Sequence, residues 1–262
     1  MNSFSSALWT ETLKMRRSKV PLFTAIGFSF AALVDGLFMI IMKDPEAARK
    51  MGLISAKAQL LAGTADWPTF FSVLAQAVAV GGAILFAIIT IWMFGREFSD
   101  HTVKELLALP TSREIIIAAK FVVIAVWTLA LTLFVFLFSL LIGTLVNIPG
   151  WSTELLRSAF EDVIGSGLLT ILLLPFVALF ASAGRGYLPS FGWMILSVVL
   201  SQIAAITGWG DWFPWSVPAL FSGAAGPRAD LLGWYSYVIV IITSILGLAI
   251  TFYWWRNADQ TR

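Results

Sequence analysis

The side chains best able to do chemistry here lie in one polar stretch, Gly95 to Glu114, set between two long apolar runs. Their chemistry is docking: this is the only sizeable segment composed to meet another soluble protein, with Arg96, Glu97 and Arg113 near its two ends. Thr102 and Glu105 have the spacing of a capping box, in which each side chain satisfies an orphan backbone N–H at a helix start. Val103, Leu106 and Leu107 then share a face, and Pro110 ends the helix. Thr111 and Glu114 repeat the box and predict a second helix that runs into the next apolar segment. A short capped helix, a proline break and a span make a lever held at the membrane surface.

No other motif carries a reaction. No glycine is followed by lysine, so the loop that cradles nucleotide phosphates is absent. A Gly-x-Ser-x-Gly elbow and a His-Glu-x-x-His pair are missing too. The chain has no cysteine and a single histidine, His101, which excludes disulfides, thiolate nucleophiles and histidine metal clusters. We therefore expect no catalytic residue and no metal site. Net charge is +2, too small and dispersed for nucleic-acid binding.

A second set of polar residues lies among apolar ones and is a candidate for a substrate path or gate. Asp35 falls inside the first apolar run, where an aspartate costs about 2.5–3.5 kcal/mol on insertion scales and faces a cavity, a partner helix or the wet interface. Gln76 and Gln202 raise the same question more weakly, since a glutamine can simply bond to a neighbouring helix. Trp209, Trp212 and Trp215 sit close together, as residues of the headgroup region do. Lys120 is expected to snorkel to the membrane surface. Pro175 should kink its helix, and Gly81-Gly82 and Gly165-x-Gly167 allow bending or close helix approach.

The elements that must position these residues are membrane helices. The chain is 59% hydrophobic and 12% charged, with a mean hydropathy of +0.87, which excludes a soluble globular domain. Six runs near the ~20 residues needed to cross a bilayer lie at about 21–42, 70–94, 115–146, 162–183, 189–207 and 233–255. They predict an all-α membrane protein, a single transmembrane domain over 1–262. Residues 1–20 read as an interfacial helix that turns inward at Pro21, with Glu11 diluting an apolar side formed by Phe4, Leu8 and Met15. Asp44-Pro45 begins a second interfacial segment, and 208–232 forms a tryptophan-rich hairpin. The basic cluster Lys14, Arg16, Arg17 and Lys19 against the first span places both termini in the cytoplasm.

Three segments carry a family resemblance: Ala7–Lys14 ahead of Arg16-Arg17; Arg96-Glu97-Phe98 with Thr102, Leu106-Leu107 and Pro110; and Ser112-Arg113 with Lys120. The chain resembles the permease subunits of type-2 ABC exporters, closest to the bacterial bacitracin- and lantibiotic-resistance type. In that family the glutamate and a following Gly-Thr belong to the loop that docks on the ATPase; here the pair reads His101-Thr102, which loses glycine's flexibility. The resemblance implies a separate ATPase polypeptide in two copies, which would bind ATP and Mg, and no cofactor in this chain. It also implies a second permease, either another copy or a sister subunit, in a bacterial plasma membrane. The helix around Val103–Leu109 would be the coupling helix, and the cargo a hydrophobic or amphipathic peptide antibiotic, drug or lipid. The rival readings are a secondary transporter driven by an ion gradient, and a non-transporting assembly or signalling subunit.

Overall fold

Pro21, Pro68, Pro175, Pro189 and Pro218 each occupy the second position of a helix. In the first turn the missing N–H has no intrahelical partner to lose, and the fixed φ favours helix entry. These prolines punctuate an all-helical chain, shown by a computed structural model that describes residues 3–50, 52, 64–103, 105, 111–224 and 232–257.

Helix α1 (Ser3–Arg17) precedes α2 (Val20–Lys43) and the short α3 (Pro45–Lys50). Then come α4 (Trp67–Gln76), a π-helical turn (Ala77–Gly81) and α5 (Gly82–Ser99). The chain continues through α6 (Arg113–Val146), α7 (Thr153–Ile171), α8 (Leu174–Ala183) and α9 (Leu188–Thr207). Two 3₁₀ turns (Gly210–Trp212 and Pro214–Ser216), α10 (Val217–Phe221) and α11 (Trp234–Asn257) complete it. Among the described residues, six helical runs are long and apolar enough to cross a membrane: α2, Trp67–Ser99, α6, Thr153–Ala183, α9 and α11.

Pro175 has the effect expected of it. The fourth span breaks at Leu172-Leu173 and restarts at Leu174. Its first turns carry exposed Glu154, Arg157, Glu161 and Asp162, so the apolar part begins at Val163.

The second and fourth spans form the centre, each 56% buried, whereas the fifth is 28% buried. Helix α6 holds α1 and α2 along its length, α8 packs on α5 and α11, and α4 packs on α7. Phe28, Met39, Phe70, Phe86 and Phe94 fill the core. Gly143 is required where α4 meets α6, because a Cβ there would come within 2.3 Å of the Trp67 ring.

Four span ends close in the same way. His101, Asn147, Arg185 and Gly208 adopt left-handed backbone, with φ of 57°, 56°, 53° and 85°. At the first three, the left-handed residue and the one after it donate N–H groups back to carbonyls of the last helical turn. This satisfies acceptors that the helix leaves orphaned.

The start of the third span corrects one expectation. Thr111 and Glu114 do not form its cap; Ser112 does, accepting from the Ile115 N–H at 3.4 Å. The helix begins one residue later than a Thr111 cap would require. In the first loop, Met51 and residues 53–63 lie outside the described residues, as do 225–231 in the last.

Candidate functional site

The site is built where the second span ends. Asp100 N–H donates to the Arg96 carbonyl, His101 N–H to that of Phe98, and Thr102 N–H to that of Glu97. The left-handed His101 turns the chain back on itself, so the Thr102 hydroxyl reaches Glu97 Oε2 at 2.7 Å. Thr102 therefore donates to Glu97 five residues earlier, rather than serving only the helix start that its spacing to Glu105 suggests.

Glu97 is the hub. Its Oε1 accepts from Lys14 Nζ at 2.8 Å and from Lys120 Nζ at 2.9 Å. Glu11 completes the group, accepting from Lys14 at 2.8 Å and from Lys120 at 3.0 Å. Lys120 also donates to the Met93 carbonyl at 3.0 Å. All three ammonium hydrogens of Lys120 are thus used. Glu11, Glu97 and Lys120 are 2%, 4% and 1% exposed. An ion buried this deeply persists only when paired and fully hydrogen-bonded. The two carboxylates and two ammoniums balance. Burial works against the charge on Lys14, but the Glu11 and Glu97 carboxylates outweigh it and hold its pKa above 10.5.

Two of the four residues overturn sequence expectations. Lys120 does not snorkel; it lies in the interior and clamps two carboxylates. Glu11 does not merely dilute an amphipathic face, because it is the buried anion through which α1 is held. Neither role is visible locally, since Glu11 and Lys120 are 109 positions apart.

Around the cluster, the second, third and sixth spans are tied together. Arg113 donates to the Trp255 carbonyl at 3.1 Å, and the Trp255 indole donates to Ser182 Oγ at 2.8 Å. The Phe98 ring lies 5.7 Å from that of Trp255. Gly95 lets the turn between the fourth and fifth spans lie across the second, because a Cβ would come within 2.6 Å of Tyr187.

The remaining residues of the polar stretch fall outside the cluster. Arg96 is half-buried, pairs with Asp100 at 3.0 Å and lies over the Trp92 ring. Val103 is buried and helical, and Glu105 is helical and exposed. Leu106, Leu107 and Pro110 lie outside the described residues.

The residues expected to line a substrate path do not all converge. Gln202 and Trp215 line one cleft with the π-helical turn (Ala79, Val80), Ser197 and Ser201. The cleft encloses about 50 Å³, room for a few waters and far less than a drug-sized ligand needs. Trp209 and Trp212 are exposed. Gln76 is half-buried and donates to Ser72 Oγ at 3.2 Å. Asp35 stands apart on the buried face of α2 with Phe28, Ala32 and Met39. It is 4% exposed, and neither carboxylate oxygen has a partner among the described residues.

Comparison with known proteins places this geometry. Residues 7–203 match the model of the ABC-2 family transporter proteins. The bacitracin transport permease protein of Bacillus licheniformis is 32% identical over 195 residues, covering 73% of this chain and 91% of that protein. No solved structure matches the chain. With six membrane-crossing helices and a family match over most of its length, the chain belongs to the ABC-2 transporter family and is a permease subunit of an ABC transporter.

Proposed function

We propose that this permease couples ATP hydrolysis by a separate ATPase subunit to export of an amphipathic peptide antibiotic or a similar hydrophobic cargo. The observation that carries the reading is the buried cluster of Glu11, Lys14, Glu97 and Lys120. It joins α1, the second span and the third span at the end where the second span gives way to Thr102 and the third begins at Arg113. The ATPase, in two copies, binds ATP and Mg and seats on the segment between them, with Val103, Glu105, Leu106 and Leu107 forming the docking helix. A push there reaches Glu97 through its bond to Thr102 and moves all three elements together. Arg113 passes the same motion to the sixth span.

The face that carries α1 is cytoplasmic in this reading, both termini included, and the membrane is the bacterial plasma membrane. A second permease, either another copy or a sister subunit, completes the transporter. The cleft beneath Trp215 is closed to cargo here, and ATP-driven motion opens it beside the π-helical turn. The likeness to a bacitracin permease supports a peptide antibiotic as cargo.

The test is affinity purification of the tagged protein in mild detergent, with mass spectrometry and an ATP-hydrolysis assay. A stoichiometric ATPase that is lost in Leu106→Asp supports the reading. A clean protein with no associated ATP turnover sinks it, and the unpartnered Asp35 would then make an ion-driven transporter the better account.

A further inference from the structure

A niche of about 220 Å³ opens between α1, the start of α2 and the third span. It lies on a face of α1 beside the one that carries Glu11 and Lys14. Met15, Pro21, Val123, Val126 and Trp127 make its walls apolar. Val123 and Val126 follow Lys120 along α6, so the niche reaches ~5–9 Å beyond the ion cluster into the membrane. Val126 is 64% exposed, which leaves the niche open sideways to the surrounding lipid.

The polar groups of the niche fall into two kinds. The Trp127 indole N–H donates to Thr24 Oγ1 at 3.3 Å, and the Thr12 hydroxyl donates to the Leu8 carbonyl at 2.7 Å. Both are satisfied within the protein and ask nothing of a ligand. Arg16 also lines the niche, and it is exposed, as are Arg17 and Lys19 next to it. None of these three cations pairs with a carboxylate among the described residues.

We propose that this niche is a binding site for one anionic phospholipid of the leaflet on the α1 face. One acyl chain fills the apolar walls, and the phosphate sits on Arg16 with Arg17 and Lys19 beside it. Unpaired cations at an apolar mouth select a negative headgroup over a zwitterionic one. The binding claim stands apart from the exporter reading. Its consequence rests on that reading: a lipid seated behind α1 fixes the helix that supplies Glu11 and Lys14, and so sets how firmly the cluster couples.

The test uses the purified, delipidated protein, offered vesicles of phosphatidylglycerol or phosphatidylcholine, with retained lipid counted by native mass spectrometry. Wild type should keep one phosphatidylglycerol in preference to phosphatidylcholine. Arg16→Gln should lower that preference about fivefold, the effect of one basic residue at a charged surface. Val123→Trp should fill the niche and abolish retention. Val126→Trp at the open rim serves the same purpose if the first variant does not fold. Arg157→Gln, in the exposed first turns of α7, should change nothing. Equal retention of the two lipids by wild type, or undiminished phosphatidylglycerol in both filled variants, overturns the proposal. Because the readout is bound lipid, its failure is distinct from a failure to find an ATPase.

Discussion

Lys120 and Glu97 meet at 2.9 Å across the second and third spans, with the lysine side chain 1% exposed. In such surroundings the pair is held by necessity as much as by attraction. Removing one member leaves an uncompensated charge among the others, held away from water.

We therefore predict that Lys120→Met costs about 3–5 kcal/mol, the range for breaking a buried ion pair. Thermal unfolding in detergent should show a large loss of stability, and adding Glu97→Gln to the same chain should recover part of it. If Lys120→Met unfolds like wild type, the cluster is not formed.

Glu97→Ala should abolish transport while the protein still inserts, because Glu11 still accepts from both lysines and the partly exposed Lys14 can turn its remaining charge to water. Arg96→Ala, which loses the surface pair with Asp100 and the contact with the Trp92 ring, should cost at most about 1–2 kcal/mol and leave transport near normal. A survival assay against a peptide antibiotic, with membrane levels measured in parallel, separates the two. Normal resistance with Glu97→Ala would remove the cluster from the coupling route.

His101 holds a φ of 57°, which a Cβ disfavours by about 1–2 kcal/mol and glycine accepts freely. His101→Gly is predicted to raise thermal stability by up to about 1 kcal/mol, after the added freedom of the unfolded chain is subtracted. A fall in stability would mean that the imidazole has a contact of its own.

Asp35→Leu should stabilise the fold, since a buried carboxylate without a partner among the described residues gives way to an apolar side chain of similar reach. The same change should depress transport more than Asp35→Asn does. Should only expression respond to either variant, Asp35 has a packing role alone.

The charge on Lys14 gives a pH signature. Its folded pKa is raised by Glu11 and Glu97, so its contribution is complete below the unfolded value and fades as pH rises through the folded one. The stability gap between wild type and Lys14→Gln should therefore stay constant from about pH 6 to 9 and narrow only in strong alkali. A gap that narrows near neutrality would show that the lysine lacks its carboxylate partners.

The six spans were legible because bilayer thickness dictates a run length that any apolar stretch must meet. The second, third and fourth spans far exceed it, at 33, 34 and 31 residues; the excess of the second is a π-helical turn and an end segment that composition does not mark. The cluster was half legible. All five residues lie in segments that carry the resemblance, but only Glu97 and Thr102 stood out as docking residues, whereas Glu11, Lys14 and Lys120 looked like membrane flanks. Charge near a span has the same appearance in sequence whether it faces water or a partner far along the chain. Thr102 shows the same ambiguity at short range, because a threonine can cap the helix after it or bond to the one before. For the tryptophans, residue type predicted an interfacial position, but only the fold distinguishes Trp215 in the cleft wall from Trp209 and Trp212 outside it.

The π-helical turn at Ala77–Gly81 has a further consequence. Its wider winding accommodates one extra residue, which rotates everything beyond it by about 100° relative to an uninterrupted α-helix. The two halves of the second span therefore keep separate registers, α4 set against α7 and α5 against α8. The turn acts as a slip joint: passing its extra residue along the helix would re-index one half while the other stays seated. Deleting a single alanine there should straighten the helix and force one of the two interfaces out of phase.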